Sequence, residues 1–158
     1  MRVTKTWADN LNDAIRDKVF PDEELMRLML VPAEAKENIR VFLDRFFIKE
    51  AISDEIITDE PVRILYHHKE STGIVNNPYA HKRYLTFEIY VKKDRLFDCD
   101  PDRMRARTEM IVQRLKEIFT DKTYVCRMRY LYEDDYEIGT RLTGYTRHVL
   151  IFSYKTTN

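Results

Sequence analysis

Four aspartates close together are the residues that most readily suggest chemistry in this sequence. They stand in the segment DRLFDCDPD as Asp94, Asp98, Asp100 and Asp102. Carboxylate oxygens suit hard divalent cations, but an EF-hand loop also needs a glycine at its turn and a terminal glutamate. This segment has neither, whereas Asp100 suits the N-cap of a helix that has Pro101 at its first position. The sequence therefore predicts a helix start here and no metal site.

The acid and lysine of FEIYVKK are a second candidate, because a restriction-type nuclease core uses these residue types at the end of a strand. That motif places the acid and the lysine on one strand face with a single residue between them. Glu88 and Lys92 are instead four positions apart, and a solvated strand face with a cross-strand partner is the ordinary interpretation. A nuclease-like or nucleic-acid-binding accessory protein is kept as the alternative function.

The histidines, serines and cysteines form no recognisable catalytic or metal-binding pattern. His67 and His68 are neighbours on a predicted strand, so their imidazoles point to opposite faces, and HExxH is absent. Chain order alone leaves a Ser-His-Asp triad open, but no serine lies in a GxSxG turn. Cys99 and Cys126 form no CxxC, and Cys126 is expected to be a small buried residue in a strand. We expect a protein that is not an enzyme and needs no cofactor.

Arginines and tyrosines are the remaining residues with chemical character. Arg127 and Arg129 flank aromatic positions, and such a mixture can bind nucleic acid. The chain, however, has 27 basic and 27 acidic residues, so its zero net charge gives no general attraction to nucleic acid or to an anionic membrane. Tyrosine and arginine are enriched at the centres of protein interfaces, and near-neutrality favours self-association. The composition therefore favours protein partners, with no membrane and no specific nucleic acid.

Length and composition predict one domain over residues 1–158. A chain of this size can bury about 70% of its unfolded surface, which is enough for one core without disulfides. Three glycines leave no GxGxxG or GxxxxGK[ST] phosphate loop. No apolar run reaches the length of a membrane span, and the N-terminal residues show no signal-peptide pattern. The default expectation is synthesis in a reducing cytoplasm.

The first third of the chain, residues 6–50, has helical periodicity and is predicted to form three helices. The first is capped by Thr6 and ends before Pro21, and the second lies in DEELMRLMLV. The third covers AEAKENIRVFLDRFFIKE, with five apolar residues facing inward: Ile39, Phe42, Leu43, Phe46 and Phe47. The acidic segment SDEIITDEP is predicted to connect this helical region to the remainder of the chain.

That remainder, residues 61–156, predicts an α+β core. VRILYHH and RYLTFEIYV alternate as strands, and KESTGIVNNPYAHK between them is predicted to be a long loop. A helix comes after DCDPD, with an apolar stripe that includes Leu115 and Ile118 and faces the same side as Phe87 and Ile89 of the preceding strand. TYVCRMRYLY and GYTRHVLIFSY are predicted strands joined by the loop EDDYEIGTRLT. The fold class is α+β: an antiparallel β-sheet with an amphipathic helix packed across it, preceded by the N-terminal helical region.

The two predicted loops supply the candidate binding residues, because long loops in compact domains are usually functional or disordered. We predict that the loop from Lys69 to His81 is mobile in the isolated subunit and becomes ordered against a neighbouring subunit or another component of the same assembly. The interface candidates are Lys69, Glu70, Ile74, Val75, Asn76, Asn77 and Tyr79 in the first loop, and Tyr136 and Arg141 in the second.

The order of elements from residue 61 onward has a counterpart in one protein family. The features that carry the likeness are VRILYHH, the polar segment ending in NNPYAHKR, the strand YLTFEIYVKKDRLFD, the helix DRMRARTEMIVQRLKEIF and the closing hairpin from Tyr124 to Tyr154. In these respects residues 61–156 resemble the tail-terminator, or tail-completion, proteins of long-tailed bacteriophages. The three-helix region from Thr6 to Glu50 is longer than the single helix common in that family, and its role stays open.

The resemblance implies a structural virion protein. Family members are small α+β proteins that assemble as rings, typically hexamers, which cap the finished tail tube and join it to the head–neck connector. The expected partners are therefore other copies of this chain, the tail tube protein, neck or connector proteins and, if the N-terminal helices reach it, the sheath protein. The family has no catalytic residues to transfer to this chain. The expected location is the virion neck, after synthesis in the host bacterial cytoplasm. A second rival, a host regulatory domain, would stay monomeric.

Overall fold

The computed structural model describes residues 7–49, 60–74 and 77–157, and for residues 7, 69–74, 77–81, 156 and 157 it describes the backbone alone. The helices are α1 (Trp7–Ala14), continued by a π-helical turn (Ile15–Val19), α2 (Glu23–Leu28), α3 (Ala33–Lys36), α4 (Ile39–Arg45) and α5 (Arg107–Thr120). The strands are β1 (Phe47–Lys49), β2 (Val62–Ile74), β3 (Asn77–Lys92), β4 (Leu131–Ile138) and β5 (Tyr145–Thr157). A 3₁₀ turn (Lys93–Arg95) comes after β3.

The five strands form one sheet in the order β1-β2-β3-β5-β4. The pairs β2–β3, β3–β5 and β5–β4 are antiparallel, and β1 pairs with β2 in parallel. The predicted α+β class is confirmed, with the difference that the β1 edge makes the sheet mixed. Because β1 belongs to the predicted helical region, the helices and the sheet are joined by a shared edge strand.

The face of the sheet that carries α5 contains the main core, as the alternation of β3 predicts. Phe87 lies at its centre, with ring centroids 5.8 Å from Phe47, 5.5 Å from Phe119 and 6.0 Å from Phe152. All four rings are fully buried, and Leu115 of α5 belongs to the same cluster. Aromatic rings at these separations add to the stabilisation from burial alone. The prediction that Phe87 faces the apolar stripe of α5 is confirmed.

The second face of the sheet is buried at one end, which the period-two pattern of β3 does not predict. Leu65, Tyr90 and Tyr145 form a smaller buried cluster there, with Ile48 and Leu142 packed against it. The hydroxyl of Tyr145 donates a hydrogen bond to the carbonyl of Glu60 at 2.6 Å. β2 and β3 are therefore covered on both faces where they lie nearest to β1 and to the start of β5.

The N-terminal helices are attached to α5 by an ion pair that also caps a helix. Asp22 accepts a hydrogen bond from the backbone N–H of Leu25 at 2.9 Å and so forms the N-cap of α2. The same carboxylate accepts hydrogen bonds from Nη2 and Nε of the Arg114 guanidinium, at 2.5 and 2.9 Å. Burial raises the pKa of Asp22, but the hydrogen bonds from Arg114 and Leu25 outweigh it, so the pKa lies below its ordinary value.

The prediction of one long third helix is wrong, because the segment forms two short helices and then a strand. Asn38 interrupts it, since its side chain accepts hydrogen bonds from the N–H groups of Arg40 and Val41 and caps a new helix, α4. The chain then leaves the helical conformation after Arg45, and Phe47 enters the sheet opposite Ile64 of β2. The three inward phenylalanines of this segment are fully buried, as predicted.

The predicted long loop from Lys69 to His81 is also wrong, because most of this segment is strand. β2 and β3 continue as a paired hairpin as far as Ile74 and Asn77, and β5 runs beside β3 to the pair Ala80–Thr157. The turn-forming residues coincide with irregularities of the ladder, which shifts between Lys69 and Thr72 and again beside Gly73. We call this part of the sheet the hairpin arm (β2 and β3 beyond Lys69 and Tyr84). Val75 and Asn76 lie outside the described residues.

Two further boundaries differ from the prediction. α5 begins at Arg107, and Asp100 does not cap it, because residues 101–104 form a turn in which Met104 has φ 51° and is 68% exposed. The predicted strand at residues 123–132 is instead a tight turn over Val125–Met128, and β4 occupies most of the predicted loop after it. Cys126 lies at the centre of that turn and is half-buried, not inside a strand.

Candidate functional site

The outer strand β4 is the most exposed regular element in the described part of the chain. Asp135 is half-buried, and each of its other seven residues is exposed. β4 ends the sheet, and no described strand pairs with its outer side. A strand in this position presents a row of unpaired backbone N–H and C=O groups, which is a template for pairing with another chain. This edge can therefore bind a partner through its main chain.

β4 also exposes large apolar side chains on both faces of the sheet. These are Leu131 (41%), Tyr132 (41%), Tyr136 (42%) and Ile138 (42%). Tyr132 lies opposite Phe152 on the face of α5, where the Lys116 ammonium lies 4.0 Å from the centre of its ring. Leu131, Tyr136 and Ile138 lie on the second face according to the pairing register. Exposed apolar groups gathered at one place mark interaction surfaces, whereas scattered ones do not.

All the charged residues of β4 are acidic. Four of its eight residues are acidic and none is basic. Glu133 pairs with Lys82 at 3.0 Å and accepts a hydrogen bond from Ser153, and these contacts lower its pKa. Asp135 lies 2.8 Å from Nε2 of His148 and accepts a hydrogen bond from Tyr132. Burial raises the pKa of Asp135, but these two hydrogen bonds outweigh it and leave the pKa low.

A pocket opens beside the end of β4, on the face that carries α5. We call it the Phe97 pocket; its volume is about 280 Å³, and it is lined by Leu96, Phe97, Met104, Ala106, Thr108, Glu109, Glu137 and His148. Phe97 is 53% exposed, which is high for an aromatic residue. Glu109 and Glu137 form no ion pair with any residue that the structure describes, and both are exposed. The pocket thus combines an apolar wall with two available carboxylates.

Arg107 holds the loop that carries Phe97 in place. Its guanidinium is 3% exposed and donates to the carbonyl of Leu28 at 2.6 Å, to the carbonyl of Arg95 at 2.8 Å and to Asp98. Its backbone N–H donates to the carbonyl of Leu96 at 2.7 Å. One buried side chain therefore joins α2, the loop after β3 and the start of α5.

The acidic segment DRLFDCDPD has this structural role and does not cap a helix. Asp98 binds Arg107 and also accepts from Arg95 at 2.6 Å, while Asp100 accepts from Arg105 at 2.8 Å. Burial raises the pKa of Asp98, but the hydrogen bonds from both arginines outweigh it and lower the pKa. Within residues 7–49, 60–74 and 77–157, no group of three or more His, Cys, Asp or Glu side chains is arranged to hold a metal ion.

His68 is a histidine whose surroundings strongly lower its pKa. It lies on the face of α5 near the hairpin arm, and Nδ1 is 2.6 Å from the hydroxyl of Tyr154. Burial, together with the positive charges of Lys49 and Arg83, lowers the pKa of His68 from 6.5 to about 4. The imidazole is therefore neutral at physiological pH, and its Nδ1 shares a hydrogen bond with the hydroxyl of Tyr154. This contact explains His68 as a structural residue.

A basic turn stands at the opposite end of α5 from the Phe97 pocket. We call it the Arg127 turn (Val125–Met128, with Tyr124 and Arg129 on either side). Val125 and Met128 exchange two backbone hydrogen bonds of 2.8 and 2.9 Å, and Cys126 and Arg127 have φ of 48° and 71°. Tyr124 is 63% exposed, and Arg127 and Arg129 are exposed. Neither arginine forms an ion pair with a described residue.

The sequence-predicted interface residues separate into two groups. Tyr136 lies on the exposed β4 edge, and Arg141 is exposed in the connection after it. In the hairpin arm the structure places the backbones of Lys69, Glu70, Ile74, Asn77 and Tyr79, while Val75 and Asn76 are outside the described residues. The β4 edge and the arm tip are separate parts of the sheet, so these candidates do not form one surface.

Sequence reasoning missed the residues that build the pocket. The sequence pattern places Met104 on the apolar stripe of a helix and Arg107 at the start of that helix, and it gives Phe97 no role. One signal was available for Arg107, since it stands at an apolar-stripe position, three residues after Met104 and four before Ile111. A charged residue at such a position requires buried acceptors, and their identity depends on tertiary structure.

Comparison with known proteins does not assign this chain to a family. A scan against protein-family models found no match, and a search of curated proteins found none either. Of the helices in the described ranges, none is long and apolar enough to cross a membrane.

Proposed function

We propose that this protein is a structural protein that works by self-assembly, and that it is the tail terminator of a bacteriophage. In this role, copies of the chain form a ring that caps the tail tube and joins it to the head–neck connector. The observation that carries the proposal is the exposed β4 edge, which offers both unpaired backbone groups and four large apolar side chains to a partner.

The environments of the polar clusters support a structural function over a catalytic one. Asp98, Asp100 and Asp22 are engaged by arginines, and His68 is held by Tyr154. The contacts of Asp98, Asp22 and His68 each join separate parts of the fold, and the Asp100–Arg105 contact lies within the loop before α5. The β4 edge and the Phe97 pocket are apolar and acidic, which suits a protein partner and repels the phosphate backbone of nucleic acid.

β4 is a single strand of eight residues, which suits a weak contact repeated around a ring rather than one strong interface. In a ring, each subunit makes the same contact with its neighbours, and closure multiplies the strength of the individual contacts. The fused core of sheet and helices supplies the rigidity that such a repeated geometry requires. The N-terminal helices are fixed to α5 through Asp22 and Arg114, so they move with the core and can form the outer part of the ring.

Negative-stain electron microscopy of the purified protein, alone and with isolated tail tubes, tests the proposal. We expect closed rings alone and rings at tube ends in the mixture. The variants Tyr136→Lys and Ile138→Lys should stay folded and lose the rings, because both side chains are exposed on β4. Glu37→Lys, at an exposed position between α3 and α4, is the matched control and should keep them. Absence of rings and of tube binding by the wild-type protein would overturn the proposal.

A further inference from the structure

The Phe97 pocket has the chemistry of a receptor for an arginine side chain. Glu109 and Glu137 place two carboxylates beside the exposed ring of Phe97 and the thioether of Met104. A guanidinium can donate forked hydrogen bonds to carboxylates while its flat face lies on an aromatic ring. An ammonium group lacks that planar fork and gains less from the ring. The lining of the pocket therefore suits an arginine side chain better than a lysine side chain.

The Arg127 turn carries the complementary chemistry. Between Asp121 and Arg129 the chain has three basic residues and one acidic residue. The two reciprocal backbone hydrogen bonds place Arg127 at the tip of the turn, and Tyr124 lies beside it with most of its ring exposed. Tyrosine and arginine are the residue types that most often dominate the binding energy of an interface.

The pocket and the turn lie at opposite ends of α5, so one chain cannot join them to each other. α5 starts at the pocket, which includes Thr108 and Glu109, and ends just before the turn. Its 14 residues separate the two by about 20 Å. Two complementary surfaces at opposite ends of one subunit fit a contact between successive copies, which closes into a ring if the rotation permits.

Charge also disfavours the simplest alternative contact between copies, the pairing of two β4 edges. Each β4 carries four acidic residues and no basic residue, so two of them side by side would place like charges opposite one another. The acidic end of one subunit needs a basic partner, and the Arg127 turn supplies one.

We propose that the Arg127 turn of one copy docks in the Phe97 pocket of the next copy, with Arg127 between Glu109 and Glu137 and Tyr124 against Phe97. This contact rests on the proposed self-assembly and adds a second contact to the one that the exposed β4 edge provides. It is heterologous, so every subunit uses its pocket for one neighbour and its turn for the other.

Charge reversal tests this contact. Arg127→Glu and Glu137→Arg should each raise the concentration needed for half-assembly, measured by sedimentation velocity, by about tenfold or more. The double variant should recover to within about threefold of the wild type, because the reversed charges again attract. Arg40→Glu, an exposed reversal on α4, is the control and should have no effect. Circular dichroism confirms that each variant is folded, and the pair Arg129→Glu and Glu109→Arg replaces any variant that is not.

The outcomes separate the possible failures. If the wild-type protein assembles and no reversal changes its assembly, the docking proposal is wrong while the proposed function stands. If Glu137→Arg weakens assembly but Arg127→Glu does not, the pocket takes a basic group other than the turn, which also overturns the docking proposal. If the wild-type protein stays monomeric, the proposed function fails, and the contact between copies fails with it. Recovery in the double variant supports the contact.

Discussion

Replacing Arg107 with methionine tests whether one buried side chain holds the Phe97 loop to the rest of the fold. Methionine keeps an unbranched side chain of similar reach and removes all the guanidinium donors. The carbonyls of Leu28 and Arg95 then lose their hydrogen bonds, and Asp98 loses its buried partner. The change therefore removes three contacts that join separate elements.

The cost can be estimated from these contacts. A hydrogen bond to a charged group contributes about 1.5–3 kcal/mol, and breaking a buried ion pair from one side costs about 3–5 kcal/mol. The two ranges both count the contact between Arg107 and Asp98, so they are not added together. Asp98 is 42% exposed, so water can replace part of the hydrogen bonding that it loses. We expect the Arg107→Met variant to lose about 3–5 kcal/mol of unfolding free energy.

Urea unfolding monitored by circular dichroism measures this loss. Arg105→Met is a matched control, since Arg105 is two residues away, also pairs with an aspartate and is 48% exposed. We expect the control to be nearly as stable as the wild type, because exposed ion pairs contribute little. Equal losses in the two variants, or no loss in Arg107→Met, would refute the assignment of Arg107 as the residue that holds this loop.

Three further predictions concern the core, the helix link and pH. Phe87→Ala should cost about 3–5 kcal/mol by urea unfolding and Thr86→Ala far less, since Phe87 is fully buried and Thr86 is half-buried on the second face; equal costs would contradict the assigned faces. Asp22→Asn should cost about 1 kcal/mol, because asparagine keeps the cap and loses the charge, and Asp22→Ala about 2 kcal/mol; equal losses would show that the cap contributes nothing. The folded-state pKa of His68, about 4, lies below its usual 6.5, so its contribution to stability is present above pH 6.5 and is lost as pH falls toward 4; melting temperatures should show that loss, and an unchanged loss in His68→Gln would contradict the assignment to His68.

The elements that local sequence could predict are those whose pattern agrees with their tertiary surroundings. β3 alternates and one of its faces is the core, so Phe87 and Ile89 were placed correctly. α5 has a helical stripe over the same core, although its start was wrong. The acidic residues that were expected to cap α5 bind arginines instead. Pro101 begins a short turn that comes before the helix.

The errors lie where tertiary pairing overrides local preference. Phe46 and Phe47 continue a helical pattern, yet Phe47 forms a strand because β2 offers it a parallel partner. Glycine and asparagine in the hairpin arm are typical of a loop, whereas β3 pairs with β2 and β5 across most of that segment. β4 has a sequence of polar character because both of its faces are exposed, so no alternation marked it as a strand.

The candidate site was predicted only in part for the same reason. Tyr136 is a candidate from the sequence and lies on the exposed edge, but the Phe97 pocket is assembled from the loop before α5, the first turn of α5 and the ends of two strands. No local window of sequence contains those residues together. Their association depends on the buried side chain of Arg107, whose acceptors come from α2 and from the loop after β3.

Native mass spectrometry of the wild-type protein, over a range of concentrations, tests the central claim of self-assembly most directly. We expect one discrete closed oligomer, such as a hexamer, that forms as concentration rises and disappears in the Arg127→Glu variant. A protein that stays monomeric at every concentration, also in the presence of tail tubes, would contradict it.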